Sequence, residues 1–231
     1  MNNQPFSITK WLSSVLYVPR CIACRIHLDN DTPLCIPCQD KWEAERKQIR
    51  THFLEDDTAL IHLTKYRPNT VTHSLIWRSK SQNLKRRTDF LASQLFEVID
   101  CQDFRRIILT HVPRSKSKKR ETGVDQSCAI SQSLGAMLGS PHYHFFAHNS
   151  STQQKSLSDA TKRMANAQKA YSLKKDTTKY IDSKTVILID DVVTSGASMM
   201  ICADLLRQAG AADVICVSVA VADNKGGKNR K

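Results

Sequence analysis

The sequence predicts an α/β protein with a parallel sheet, preceded by a small metal-binding ribbon. Four short apolar runs, near residues 107, 143, 186 and 214, alternate with segments of helical periodicity. This alternation is typical of a parallel sheet whose strands are joined by right-handed helical crossovers. The run at 186–189 leads directly into two aspartates and a small, hydroxyl-rich turn, as expected at the carboxyl edge of such a sheet. Four cysteines in two close pairs near the N-terminus indicate the ribbon.

The chain of 231 residues is long enough for one sizeable domain and a small appendage. It carries 34 Lys and Arg against 22 Asp and Glu, which gives a net charge of +12. Such an excess favours polyanionic partners, namely nucleic acid, pyrophosphate compounds or an anionic membrane. Charge alone does not separate these from a generic basic cytoplasmic protein.

The N-terminal segment at 6–18 predicts an amphipathic helix, with Ile8, Trp11, Leu12 and Val15 on one stripe. It lacks the basic start and the small-residue cleavage site of a signal peptide. No stretch reaches the roughly 18 continuous apolar residues that cross a bilayer. We therefore expect a cytoplasmic protein whose N-terminal stripe packs on its own fold, with contact to a membrane surface as the alternative.

The two cysteine pairs predict a structural metal site. They form Cys-x2-Cys, ten intervening residues and a second Cys-x2-Cys: Cys21, Cys24, Cys35 and Cys38. Four thiolates complete the tetrahedral shell that structural zinc prefers, and an iron–sulfur cluster is the minor alternative. The closed shell predicts a folding role and no catalysis. The remaining cysteines are predicted to be inert core thiols: Cys101, Cys128, Cys202 and Cys216.

A connector with several helices is expected after the ribbon. Helical patterns begin near residue 40, near Val71 and at 84–99, whereas 58–67 fits a short strand or a turn equally well. Basic residues cluster at 78–80 and 85–87. They indicate either a solvated helical face or a surface that contacts nucleic-acid phosphates.

The first core strand is predicted at 105–112 and ends at Pro113. The next seven residues, 114–120, contain five basic side chains. They indicate a mobile basic loop or a site for a multiply charged anion. Beyond this loop we predict a helix at 125–138, a short strand at 143–147 and a helix at 161–170.

The most informative stretch is residues 186–198. Its buried strand ends at Asp190 and Asp191, and a helix is predicted from Met199 to Gln208. The turn between them offers a flexible Gly196, hydroxyl donors and the free backbone N–H groups of a helix start. This combination suits a ligand with both sugar hydroxyls and a phosphate. The alternative is a buried strand that ends in a polar turn without a ligand. Two adjacent aspartates at a strand end cost free energy, however, unless they are solvated or bind a ligand.

Residues 186–198 resemble the ribose-phosphate loop of type I phosphoribosyltransferases, which bind phosphoribosyl pyrophosphate (PRPP). Together with the four-Cys ribbon and the connector, the chain resembles the ComF family. Further similarity lies at 112–115, 119–126, 152–157 and 163–166. Val124 and Asp125 replace the family's Phe and Asn, and His148 with Asn149 stands where the family usually has an Arg.

The resemblance implies a type I phosphoribosyltransferase-like domain at 104–222, after a helix and zinc ribbon at 1–48 and a helical connector at 49–103, with a disordered basic tail at 223–231. It implies that Asp190 and Asp191 hold the ribose hydroxyls, and act as the catalytic pair if the protein is an enzyme. The implied contacts to the 5-phosphate are Thr194, Ser195, Gly196, Ala197 and Ser198. The implied contacts to pyrophosphate are Arg114, Ser115 and Lys116, with Arg120 a further candidate, and magnesium would accompany PRPP.

Two functions from different classes follow from this resemblance. The first is a PRPP-binding, ComF-like protein with a role in natural transformation and DNA uptake, which contacts single-stranded DNA and proteins of the competence machinery. The second is an active phosphoribosyltransferase that transfers ribose 5-phosphate from PRPP to a nitrogen nucleophile. The residues do not name that nucleophile, so turnover is left open.

Overall fold

The fold is taken from a computed structural model that describes residues 19–47, 50–54, 58–77, 84–99, 106–114, 124–148 and 170–222. Several predictions lie outside these residues: the amphipathic helix at 6–18, nearly all of the helix at 161–170, and the tail at 223–231. The helices are α1 (Ile36–Arg46), α2 (Val71–Trp77), α3 (Leu84–Phe96), α4 (Gln126–Leu138), α5 (Thr178–Ile181) and α6 (Ala197–Gln208). The strands are β1 (Arg50–Phe53), β2 (Ala59–Tyr66), β3 (Ile107–His111), β4 (Phe146–His148), β5 (Tyr171–Leu173), β6 (Thr185–Val193) and β7 (Asp213–Ala222).

A five-stranded sheet in the order β1-β2-β7-β6-β3 forms the centre of the molecule. Strands β2, β7, β6 and β3 run parallel, and only β1 pairs antiparallel, with β2. The predicted α/β class with a parallel sheet is therefore confirmed. In such a sheet the carboxyl ends of the parallel strands meet at one edge, which is where ligands bind in open α/β folds.

Both faces of this sheet are buried, and strand β6 shows how the sequence achieves it. Ile187 and Ile189 pack into one hydrophobic cluster, whereas Val186 and Leu188 pack into another. Successive side chains of a strand point to opposite faces, so a continuous apolar run fills both clusters. Helix α4 contributes to the first cluster and helix α6 to the second. The apolar run at 186–189 is thus explained by helices on both sides.

The cysteine ribbon packs against the same core as the sheet. Cys21 and Trp42 are fully buried in the cluster that also contains Leu63 of β2. The indole N–H of Trp42 donates a 2.8 Å hydrogen bond to Gln94 of helix α3. A buried indole needs such a partner, so the ribbon and the connector are held to each other by a specific contact.

Two segments differ from the sequence prediction. Residues 58–67 were compatible with a strand or a turn, and they form β2, which pairs with β7 in the main sheet. The segment predicted as a helical connector therefore also supplies two strands, because β1 pairs with β2. The mixed pattern of β2 is understandable, since His62 and Thr64 are polar and yet buried.

The run predicted as a strand at 143–147 contributes β4 only from Phe146 onward. Strand β4 pairs antiparallel with β5 in a separate two-stranded sheet. Before that, His142 makes an isolated parallel bridge with Leu109 of β3. The chain touches the edge of the main sheet and then leaves it for a partner nearly thirty residues ahead, which an apolar run does not reveal.

Across the described ranges, the helices are too short or too polar to cross a membrane.

Candidate functional site

Strand β6 is longer than predicted and carries both aspartates within it. Its pairing with β3 ends at Ile189, opposite His111, whereas its pairing with β7 continues through Asp190 to Val193. The aspartates thus extend past the neighbouring strand on one side. This stagger opens the carboxyl edge of the sheet beside them, which is the position predicted for a ligand.

A cavity of about 550 Å³ lies at this edge. Its walls include every described residue of the predicted PRPP site, namely Arg114, Asp190, Asp191, Thr194, Ser195, Gly196, Ala197 and Ser198. Ser115 and Lys116, the other predicted pyrophosphate contacts, lie outside the described residues. Side chains that the sequence did not assign to the site also line it, among them Tyr66, Ile76 and Trp77.

The two carboxylates share a hydrogen-bond partner. The hydroxyl of Ser127, in the first turn of helix α4, lies 2.9 Å from Asp190 Oδ1 and 3.3 Å from Asp191 Oδ1. Burial and then the neighbouring charge of Asp191 raise the pKa of Asp190 well above its ordinary value, although Ser127 acts in the opposite direction. A cation or a pair of ligand hydroxyls at this point would relieve that penalty.

Arg114 forms an ion pair with Asp191 through Nη2 and Oδ2. Both side chains are largely buried, with 20% and 7% of their surface exposed. The sequence suggested that Arg114 contacts pyrophosphate, and in this structure its guanidinium instead neutralises one of the two carboxylates. An anionic ligand would therefore compete with Asp191 for this arginine.

The turn after β6 has the geometry of an anion-binding loop. Gly196 has φ = +80° and caps the N-terminus of helix α6. The backbone conformation favours glycine, and a Cβ atom there would lie 2.6 Å from a terminal methyl of Leu54, which would have to move. Thr194 and Ser195 are exposed, and the first N–H groups of the helix have no partner within it. Ser198 is positioned by a 2.9 Å hydrogen bond from the Tyr171 hydroxyl.

Two of the departures from the family pattern have a local explanation. Asp125 caps helix α4, because its carboxylate accepts a hydrogen bond from the backbone N–H of Cys128. His148 lines the cavity and lies edge-on to the ring of Tyr171, with 5.1 Å between the ring centres.

The four ribbon cysteines lie together as predicted. Their sulfur atoms are all within 4.8 Å of one another, and Cys24 and Cys35 are 3.6 Å apart. Tetrahedral zinc would separate its sulfur ligands by about 3.8 Å. Burial opposes ionisation of Cys21, but backbone N–H groups, that of Cys24 foremost, lower the pKa of its thiol to about 7, whereas burial raises the pKa of the Cys24 and Cys38 thiols. The spacing of the four sulfur atoms is what fits this group to a metal ion.

A second set of potential ligands was missed by the sequence analysis. His111, Cys128, His142 and His144 place one ligand atom each within 4.8 Å of the others. Cys128 is partly exposed and belongs to this set, so its prediction as an inert core thiol is wrong. Cys202 and Cys216 are fully buried, as expected. The only signal in the sequence was the alternation of His142 and His144 with aromatic residues.

Residues 130–231 match the protein family described as "Phosphoribosyl transferase domain". No curated protein shows significant sequence similarity to the chain.

Several solved structures are similar to part of the chain. The allosteric regulatory enzyme of purine biosynthesis is 18% identical, with a TM-score of 0.37 over 66% of this chain and 26% of its own. Glutamine PRPP amidotransferase from B. subtilis is 14% identical, with a TM-score of 0.38 over 68% and 28%. Adenine phosphoribosyltransferase from Thermoanaerobacter pseudethanolicus is 11% identical, with a TM-score of 0.40 over 78% and 99%. The chain spans about a quarter of the length of the first two.

The family match begins inside helix α4 and includes β6, the acidic pair and the loop at 194–198. The part of the chain that is similar to a phosphoribosyl transferase domain thus contains the predicted ribose-phosphate loop.

Proposed function

We propose that the cavity binds PRPP or a closely related ribose phosphate. Asp190 and Asp191 accept hydrogen bonds from the ribose hydroxyls, and the loop at 194–198 holds the 5-phosphate. The observation that supports this most is that the acidic pair and the glycine-containing helix start line one cavity, together with Arg114. Carboxylates suit hydroxyl donors, whereas backbone N–H groups at a helix start suit phosphate.

Pyrophosphate, the second anionic part of PRPP, is assigned to Arg114, Ser115 and Lys116. Arg114 already lies at the cavity, paired with Asp191. Binding would move the guanidinium from the carboxylate to the pyrophosphate, which frees Asp191 for the ribose. This exchange keeps the guanidinium next to an anion in both states and gives the Asp191 carboxylate hydroxyl donors in place of the arginine.

Magnesium is the cation that the resemblance implies with PRPP. Its fit here rests on two adjacent carboxylates, Asp190 and Asp191; burial, and then the neighbouring charge of Asp191, raise the pKa of Asp190. Magnesium prefers oxygen ligands and is commonly held by one or two carboxylates together with phosphate oxygens. When bound, it would neutralise charge on the pyrophosphate group.

We further propose that the protein is ComF-like and contacts single-stranded DNA in natural transformation. Aromatic rings lie in a row beside the cavity: Tyr66 and His73 have ring centres 5.6 Å apart, and His73 stacks on Trp77 at 5.9 Å. Trp77 is 72% exposed. Exposed aromatic rings on a basic protein are the usual means of binding single strands, because every base offers a face for stacking. The four ribbon cysteines would bind a structural zinc ion.

An active phosphoribosyltransferase is the second candidate. Trp77 and Tyr66 line the same cavity as the acidic pair, so a planar nitrogen base could stack there within reach of PRPP. In that case Asp190 and Asp191 would hold the ribose while the base attacks its anomeric carbon and pyrophosphate leaves. The same rings thus serve either a nucleic-acid base or a free acceptor.

Calorimetry with magnesium and PRPP tests the binding proposal. We expect Asp190→Asn combined with Asp191→Asn to weaken binding at least tenfold, because the ribose hydroxyls lose their acceptor charge. Asp204→Asn, an exposed aspartate on helix α6, is the matched control and should bind as the wild type does. Equal affinity of the double variant and the control would refute the site.

The two candidate roles are separated by two further measurements. Fluorescence titration with oligothymidylate should show salt-dependent binding by the wild type and a clear loss in Trp77→Ala. Release of pyrophosphate from PRPP in the presence of mixed nucleobases would instead identify an enzyme. Absence of DNA binding at low salt would discard the proposed contact with single strands.

A further inference from the structure

We propose that His111, Cys128, His142 and His144 form a second metal site, which binds a divalent transition-metal ion such as zinc. Their four ligand atoms lie within 4.8 Å of one another, the same limit that describes the ribbon cysteines. The set is distant in sequence from that ribbon, and none of its four residues lines the cavity proposed for PRPP. Both groups are present among the described residues, so the chain would hold two metal ions.

The four side chains come from three elements that the sheet brings together. His111 ends strand β3, and Cys128 lies in the first turn of helix α4. His142 and His144 lie on an extended segment that bridges to β3 at Leu109. Residues two apart in an extended chain point the same way, so the two histidines face one side. Tyr143 and Phe145 face the other, where their rings stack with centres 5.1 Å apart.

The three imidazoles are arranged closely enough for one ion. Their ring centres are 5.3 Å apart for His111 and His142, 5.1 Å for His111 and His144, and 4.8 Å for His142 and His144. Nδ1 of His111 and Nε2 of His142 are separated by 3.1 Å. A tetrahedral zinc site places its nitrogen ligands about 3.3 Å apart and a nitrogen and a sulfur about 3.5 Å apart. Small rotations of these side chains would complete such a shell.

A carboxylate lies behind the proposed ligands. Oδ2 of Asp125 is 3.7 Å from Nε2 of His111, the ring nitrogen opposite the one that faces His142. The other oxygen of Asp125 accepts a hydrogen bond from the backbone N–H of Cys128. Histidines that bind a metal usually direct their second ring nitrogen to a carboxylate, which fixes the ring. Asp125 thus caps the helix that carries Cys128, and its second oxygen lies near His111 at a distance longer than a hydrogen bond.

The ligand types indicate which ions would bind. Three imidazoles and one thiolate favour zinc, cobalt or copper, whereas magnesium and calcium prefer oxygen. Four protein ligands would close the shell of a tetrahedral ion, which is the pattern of a structural site. The ion would then join the end of β3, the start of α4 and the segment at 142–144.

This junction stands next to the proposed PRPP site. His111 precedes Arg114 by three residues, and Cys128 directly follows Ser127. Within the described ranges, Arg114 and Ser127 are side chains from outside β6 that contact the aspartates. A metal ion would therefore hold in place the two elements that supply these contacts.

Metal stoichiometry of the full chain tests the proposal. After equilibration with zinc and removal of excess, we expect about two zinc ions per chain. His144→Gln and Cys128→Ser should each reduce this to about one, and His144→Cys, which restores a ligand, should return it to two. His73→Gln is the control for loss of a histidine outside the group. Circular dichroism verifies that each variant is folded, and the exposed position of His144 makes its replacement the mildest.

Cobalt distinguishes the two sites directly. With the cysteine group first filled by zinc, added cobalt should give visible absorption from a tetrahedral site that contains one thiolate. Cys128→Ser should abolish the sulfur-to-cobalt band. One zinc ion per wild-type chain, lost only when ribbon cysteines are replaced, would overturn the proposal, as would cobalt binding that is unchanged in both His144→Gln and Cys128→Ser.

Discussion

The cysteine group of the ribbon and the histidine group beside β3 each place their ligand atoms within 4.8 Å of one another, but they are assembled in different ways. The cysteines lie within 18 residues, between Cys21 and Cys38, in two identical short pairs. The histidine group spans 34 residues, from His111 to His144, and needs a strand end, a helix start and an extended segment to meet. A local chain can bring the first together, whereas only the folded sheet brings the second together.

The proposed PRPP site combines both situations. Its aspartates and its phosphate loop are contiguous in residues 190–198, so the motif is local. Arg114 and Ser127, which contact those aspartates, come from distant parts of the chain. Substitutions that disturb a site built from neighbouring residues, and leave intact a site built from distant residues, or the reverse, therefore test this difference.

The largest effect is expected from Cys21→Ser combined with Cys24→Ser. Loss of the metal ion should unfold the ribbon, whose buried residues pack in the same core as the sheet. In a chain of this size, each kcal/mol of lost stability lowers Tm by about 2–4 °C. We expect Tm to fall by about 10 °C or more, measured by differential scanning calorimetry. The histidine group should keep its metal; loss of both ions would show that the two sites are not independent.

Gly196→Ala should break the local part of the PRPP site. A side chain at φ = +80° costs about 1–3 kcal/mol, and its Cβ would also meet Leu54 at 2.6 Å. We expect lower stability in urea and at least tenfold weaker PRPP binding. Gly139→Ala is the matched control, because Gly139 has φ = +64° and open space around it. Equal effects of the two substitutions would mean that Leu54 and the loop geometry do not matter.

Gly135→Ala should break the long-range assembly of the histidine group. A Cβ at this position on helix α4 would lie 2.8 Å from the backbone oxygen of Ser140 and 3.8 Å from Cβ of His142. The segment that carries His142 and His144 must then shift, at a cost of about 1–3 kcal/mol. We expect weaker binding of the second metal ion in a competition with a chromophoric chelator, and an unchanged ribbon site. Metal affinity equal to the wild type would contradict this placement.

The smallest effect concerns the pH dependence of Asp190. Its pKa is raised in the folded protein, so between the ordinary value near 4 and the raised value the folded state holds more protons than the unfolded state. The free energy of unfolding of the wild type should therefore fall as pH rises through this window, by up to about 1.4 kcal/mol per unit. Asp190→Asn lacks this loss, so its stability relative to the wild type should increase with pH and then level off. The free energies of unfolding of both proteins are measured by urea denaturation from pH 4 to 8. A difference between them that does not change with pH would contradict a raised pKa for Asp190.

Much of the fold follows from local patterns. Helices α3, α4 and α6 and strands β3 and β7 were predicted close to their observed bounds, because each segment has a periodic pattern of apolar residues. Helix α2 was predicted only at its start, and β6 extends to Val193, past the predicted end at Ile189. Strand β2 was left open and β1 was missed, because His62 and Thr64 are polar residues in buried positions. Their burial depends on neighbours such as Val219, whose carbonyl accepts from the Thr64 hydroxyl.

The sequence by itself determined the four-cysteine group, the apolar strand that carries two aspartates, and the glycine turn that follows, because each depends on residues close along the chain. Only the tertiary structure decided that Arg114 pairs with Asp191, that Ser127 contacts both aspartates, and that four histidine and cysteine ligands converge. The physical reason is that parallel strands collect their ends at one edge of the sheet, whatever the distance between them in sequence. The spacing of residues along the chain does not indicate which strand ends will lie side by side.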